Sequence, residues 1–187
     1  MILAAGLGTR LRPLTDDRPK ALVEIAGHTL LQITLARLRT FGVDEVIVNA
    51  HHFAEKIVEY LKANKNFGMR IVVSREEMLL DTGGGLKKAA WFFLDDSRRP
   101  DEPFLLNNVD VVSTIDLGRM VEFHAAQKAL ATLAVQDRST SRYLLFDQDL
   151  LLCGRRQAEL VRSSSQPLAL AFSGIADRPV SGIARAS

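Results

Sequence analysis

The sequence predicts an α/β fold built on a mainly parallel sheet. Short runs rich in Val, Ile and Leu alternate with segments of helical period, the pattern of βαβ units. Several of these runs are apolar on both faces, as strands covered by helices on both sides are. The 187 residues, 47% hydrophobic and 25% charged, suit one globular domain with a sizeable core.

The expected strands lie at residues 2–4, 45–49, 70–74, 104–107 and 131–135, with a later candidate at 168–172. Between the first two, Leu30, Ile33, Leu38 and Phe41 recur at helical spacing, and Gly42 marks the end of that helix. Ile57, Val58 and Leu61 define the next helix. Residues 86–94 and 116–127 give two more, the second with Ser113 and Thr114 as candidate caps. After Gln136 the pattern changes: residues 143–146 and 150–153 flank Asp147-Gln148-Asp149, which predicts a hairpin and the start of an antiparallel excursion. Residues 163–167 read as a short polar loop.

Charge and composition exclude several classes of function. The net charge is +2 and no stretch concentrates Lys and Arg, so no nucleic-acid partner is expected. No apolar run approaches the roughly 20 residues of a membrane span. The single Cys153 leaves no internal disulfide, which suits a reducing, cytoplasmic setting, and Cys153 itself is expected to be a buried packing residue. The chain opens directly on a strand, from which a short lead-in upstream is expected.

The segment Leu3-Ala4-Ala5-Gly6-Leu7-Gly8-Thr9-Arg10-Leu11-Arg12-Pro13-Leu14-Thr15 leaves the first strand through small residues and then supplies two arginines. Its place at the carboxyl end of a strand is where open α/β sheets bind ligands. Small residues let backbone N–H groups approach a phosphate, and Arg10 and Arg12 can neutralise its charge. A dinucleotide fingerprint does not fit, since Thr9 and Arg10 follow Gly8 and the second strand ends in Asn49 rather than an acid. A P-loop lacks its Gly-Lys-Ser/Thr. A tight turn with surface arginines remains open as an alternative for this segment alone. Pro19 then stiffens the chain ahead of Lys20, which can reach the same phosphates.

Leu3 to Thr15 followed by Pro19-Lys20-Ala21-Leu22 resembles the signature of the sugar-1-phosphate nucleotidyltransferases. The resemblance continues through Asn49-Ala50-His51-His52, Glu76, Asp81-Thr82-Gly83-Gly84-Gly85, Asn108-Val109-Asp110 and Phe172-Ser173-Gly174-Ile175. It implies a Rossmann-like, glycosyltransferase-A-type three-layer sandwich with a mixed, mainly parallel sheet. It also implies one domain over 1–187, with the nucleotide-binding half at 1–136 and the start of an incomplete sugar-binding half at 137–187. The activity implied is transfer of a nucleotidyl group from an NTP to a sugar 1-phosphate, forming an NDP-sugar and pyrophosphate. Carried over residue by residue, Leu3, Ala4, Ala5, Gly6, Gly8, Thr9, Arg10, Asn49, Glu76, Thr82 and Gly83 bind the nucleotide. Asn108 and Gly174 bind the sugar, Arg10, Lys20 and Asp110 are catalytic, and Asp110 holds Mg²⁺. Independently of the resemblance, Asp110 follows an apolar strand, so its hard carboxylate oxygen is expected at the sheet's carboxyl edge, where it suits Mg²⁺. Val109 stands where the family has a small residue.

Within the family the pattern is most similar to N-acetylmuramate 1-phosphate uridylyltransferases of cell-wall recycling, which makes UTP the expected nucleotide. Mannose-1-phosphate guanylyltransferases are the competing match. The family's second metal-binding aspartate has no match after Gly174, since Asp177 sits in an unrelated context. The chain is therefore expected to stop or diverge before the site is complete, and a non-catalytic nucleotide-binding or regulatory domain stands as the alternative of another class. His51 and His52 point to opposite sides of an extended segment and are not expected to bind metal. Oligomeric state is not legible.

Overall fold

The computed structural model describes residues 1–94, 102–137, 142–147, 151–157 and 168–176; the polar loop at 163–167, Ser141, Gln148, Asp149 and Asp177 lie outside them. Six strands form one sheet in the order β5 (Arg70–Arg75), β4 (Glu45–Ala50), β1 (Ile2–Leu3), β6 (Phe104–Asn108), β10 (Leu168–Ala176), β7 (Ala131–Asp137). β1 runs parallel to both β4 and β6, and β4 runs parallel to β5. β10 is antiparallel to β6 and β7, so the sheet is mixed and mainly parallel, as the sequence predicts. β4 lies on one side of β1 and β6 on the other, which makes the carboxyl end of β1 a topological switch point.

Alternation along the strands divides the apolar side chains between two faces. Ile2, Ala4, Val46, Val48 and Ala50 pack with Leu30, Leu31, Leu35 and Leu38 of α1 (Leu30–Thr40), Ile57 and Leu61 of α2 (Ala54–Ala63), and Leu117 and Met120 of α5 (Leu117–Gln127). Met1, Leu3 and Ile47 pack on the opposite face with Leu86 of α3 (Asp81–Lys88), Ala89, and Phe92 and Phe93 of α4 (Ala90–Leu94). The result is three layers with the sheet in the middle. Ile2, Leu31, Leu35, Ile47 and Ile57 are fully buried, each worth about 1.5–3 kcal/mol. Exposed pairs such as Arg70 with Glu45 add at most about 1 kcal/mol, so packing holds this fold.

Helix α1 starts where Thr29 Oγ1 accepts from the amide of Gln32 at 3.0 Å. It ends with Gly42 N donating to Arg39 O and Val43 N to Leu38 O, the paired bonds of a Schellman motif. Three expectations need correction. The helix predicted at 86–94 is two helices, and the first of them begins earlier, at Asp81, so that the triple glycine lies inside the first turns of α3. Close packing of Gly85 and the capture of the Leu80 amide by Glu76 override glycine's weak helix propensity. The cap of α5 is Asp116, whose Oδ1 accepts from Arg119 N at 3.1 Å; Ser113 instead accepts from Arg37 at 2.8 Å. Cys153 is exposed rather than buried, because its strand belongs to a two-stranded hairpin that cannot cover both faces.

That hairpin pairs β8 (Arg142–Phe146) with β9 (Leu152–Gln157) in antiparallel register, the excursion the sequence predicts. A second hairpin, β2 (Glu24–Ile25) with β3 (His28–Thr29), is absent from the sequence reading. Its two-residue turn puts Ala26 and Gly27 at φ of 51° and 80°, the positive values of a type I′ turn.

Candidate functional site

The loop leaving β1 begins with Ala4 and Ala5 buried and then emerges at Gly6 and Leu7. Gly8 has φ +68°, and a Cβ there would lie 2.9 Å from Thr15 Cγ2. Both facts confine the position to glycine. Its carbonyl accepts from the Thr15 hydroxyl at 2.9 Å and from Leu11 N at 2.8 Å, which sets the 3-10 turn Thr9–Leu11. Thr9 and Arg10 are exposed on that turn, and Arg10 has no ion-pair partner among the described residues. Arg12 instead pairs with Asp16 at 3.4 Å on the surface.

Pro19 leads into a second 3-10 turn, Lys20–Leu22, anchored by the fully buried Ala21. This anchoring aims Lys20 back at the glycine loop. Its Nζ lies 3.6 Å from where a Gly6 side chain would begin and 3.0 Å from Asp110 Oδ2. The Lys20 and Asp110 side chains are 17% and 36% exposed, an ion pair at the mouth of the site rather than in the core.

Asp110 is placed by the residue before it. Val109 is fully buried, its amide donates to Leu3 O at 3.1 Å, and its carbonyl accepts from Thr34 Oγ1 at 3.4 Å. The backbone therefore continues the β1–β6 ladder past Asn108 and releases Asp110 at the carboxyl edge. Leu3 sits in register with Asn49 on one side and Asn108 on the other.

On the other flank, Asn49 Oδ1 accepts from Ala4 N at 2.6 Å, and Asn49 Nδ2 donates to Glu76 Oε1 at 2.9 Å. Glu76 Oε2 accepts from Leu80 N at 3.1 Å. His51 Nδ1 lies 2.8 Å from the Glu76 carbonyl and so carries the proton it donates. Asn49 and Glu76 are 2% and 5% exposed. Thr82 and Gly83 are exposed in the first turn of α3.

The structure thus brings together the glycine loop, Lys20, Asp110, Asn108, Asn49 and Glu76 around the carboxyl end of β1. Gly174 lies on β10 opposite Leu106, two residues short of Asn108 along β6, with no described contact to the Lys20–Asp110 pair. Sequence reasoning missed Leu80, whose amide has no side-chain signal. Of the three glycines it gave a role to Gly83, whereas a Cβ on Gly85 alone would meet both Asn49 Nδ2 and Glu76 Oε1, each at 2.6 Å.

The Arg18 guanidinium holds the exposed Asp17 carboxyl below its usual range. No group of three or more His, Cys, Asp or Glu with metal-binding geometry occurs among the described residues. Among the described residues, the accessible carboxylate beside the glycine loop is Asp110, a hard oxygen donor of the kind that suits Mg²⁺.

The family described as nucleotidyl transferase matches residues 1–150. An N-acetylmuramate alpha-1-phosphate uridylyltransferase of Caulobacter vibrioides is 43% identical over 129 residues, covering 67% of this chain and 51% of that protein. A UTP–glucose-1-phosphate uridylyltransferase of Synechocystis is 35% identical over 144 residues, covering 71% of this chain and 36% of that protein. The chain thus spans about half the length, or less, of these curated relatives. Among solved structures, HddC from Yersinia pseudotuberculosis complexed with GMP-PN superposes with a TM-score of 0.76 at 21% identity, covering 94% of this chain and 75% of that one. A fold shared with that structure, and a family match over residues 1–150 that takes in the loop, Lys20 and Asp110, make this chain a member of the nucleotidyl transferase family, among the sugar-1-phosphate nucleotidyltransferases.

Proposed function

We propose that the protein transfers a nucleotidyl group from an NTP to a sugar 1-phosphate, with UTP and N-acetylmuramate 1-phosphate as the pair, in the cytoplasm. The observation that carries this reading is the Lys20–Asp110 pair beside the glycine loop, a cation and a hard anion set where a triphosphate can lie. The 43% identity to a uridylyltransferase of that specificity supports the choice of substrates. The mannose-1-phosphate guanylyltransferases among the relatives keep GTP as the second reading.

In such a reaction a phosphate oxygen of the sugar 1-phosphate attacks the α-phosphorus in line and pyrophosphate leaves. No protein nucleophile is needed, so alignment and charge neutralisation do the work. The loop from Ala5 to Thr9 faces the base and phosphates, and Thr82 and Gly83 close the base side. Lys20 swings from Asp110 to the phosphates, and the exposed Arg10 covers the leaving pyrophosphate. Asp110 would hold Mg²⁺, which when bound neutralises charge on the phosphates. Asn108 and Gly174 face the sugar, residues 1–136 being the nucleotide-binding half and 137–187 belonging to the sugar-binding half.

A thermal-shift panel of UTP, GTP, CTP, ATP and dTTP with and without Mg²⁺ tests the reading, since a ligand that binds only the folded state raises its stability. UTP with Mg²⁺ is expected to give the largest shift. Equal shifts for all five, or none, would count against it.

A further inference from the structure

We propose that Asn49 and Glu76 are positioning residues that lock the glycine loop to the start of α3, so that the two flanks of the nucleotide pocket hold one fixed spacing. The inference rests on the nucleotide-binding reading above and concerns how that pocket is held. Both side chains are buried, and a buried carboxylate is costly unless its oxygens are satisfied. Both Glu76 oxygens are engaged, one by Asn49 Nδ2 and one by the Leu80 amide, and Asn49 Oδ1 is engaged by the Ala4 amide. Each of these atoms has a partner within the protein, and through those partners the pair holds the two flanks of the pocket.

The backbone of Glu76 is fixed as well. Its amide donates to Ala50 O at 2.8 Å, and its carbonyl accepts from His51. Gly85 closes the arrangement from α3, where a Cβ would strike Asn49 and Glu76 together.

The wiring has a polarity that makes it testable. At each end the partner is a backbone N–H, so positions 49 and 76 must each present an acceptor outward and share one donor–acceptor contact between them. Two amides leave a donor facing the Leu80 amide, and two carboxylates leave no proton between them. One amide with one carboxylate works in either order.

The experiment compares E76Q, N49D and the N49D/E76Q double variant with the parent protein, reading UTP affinity by calorimetry with Mg²⁺ and folding stability in parallel. Each single variant is expected to weaken UTP binding about tenfold or more, the scale of one unmet buried polar group. The double variant, with the polarity reversed, is expected to recover the parent's affinity. A folded double variant that binds as weakly as E76Q would show that the carboxylate touches the nucleotide itself and would overturn the proposal. Single variants with parental affinity, or a double variant that does not fold, overturn it too. If a single variant fails to fold, the double variant alone decides. Absence of binding to any NTP by the parent is a different result, and it removes the nucleotide reading rather than the wiring.

Discussion

Lys20 Nζ stands 3.0 Å from Asp110 Oδ2, although the two residues lie far apart in the chain. The contact exists because β1 and β6 are parallel neighbours, which brings the loop after one strand beside the end of the other. Removing the cation with K20A is expected to lower turnover by about 10²–10³, the scale for losing one preorganised charge at a transition state. Stability should change by less than about 1 kcal/mol, since the pair sits at the mouth of the site. Steady-state kinetics and thermal unfolding on one preparation check both parts.

The glycine loop depends on Gly8 for backbone reasons. G8A adds a Cβ 2.9 Å from Thr15 Cγ2 at a residue with φ +68°. A loss of about 1–3 kcal/mol is expected from crowding and strain together. Denaturant unfolding measures it, and a loss under about 0.5 kcal/mol would mean that the loop relaxes freely.

The helix caps give a local check on the fold. D116A should cost about 1 kcal/mol by removing the acceptor for Arg119 N, whereas T114A, which the sequence alone favours as a cap, should fall within about 0.5 kcal/mol of the parent. Reversal of that order would contradict the placement of α5.

The alternating strands and helices were legible because both periodicities are strong, and so was the position of the loop after β1. The Lys20–Asp110 contact was not legible, since nothing local links the two residues and the pairing of β1 with β6 brings them together. The extension of α3 through three glycines was not legible, because propensity argues against it and only the close approach of Gly85 to Asn49 and Glu76 explains it. Leu80 contributes a backbone amide, which no side-chain pattern can announce. The exposure of Cys153 follows from its place on a two-stranded hairpin, a tertiary fact absent from its neighbours in the sequence.

The central claim is nucleotidyl transfer at the Lys20–Asp110 edge, and pyrophosphate release tests it most directly. The protein is given Mg²⁺, each NTP in turn and N-acetylmuramate, glucose or mannose 1-phosphate, in parallel with D110A. Pyrophosphate should appear only when both substrates and Mg²⁺ are present, fastest with UTP and N-acetylmuramate 1-phosphate, and should fall by about 10² or more in D110A. Release at an unchanged rate in D110A, or no release with any pair, would contradict the account.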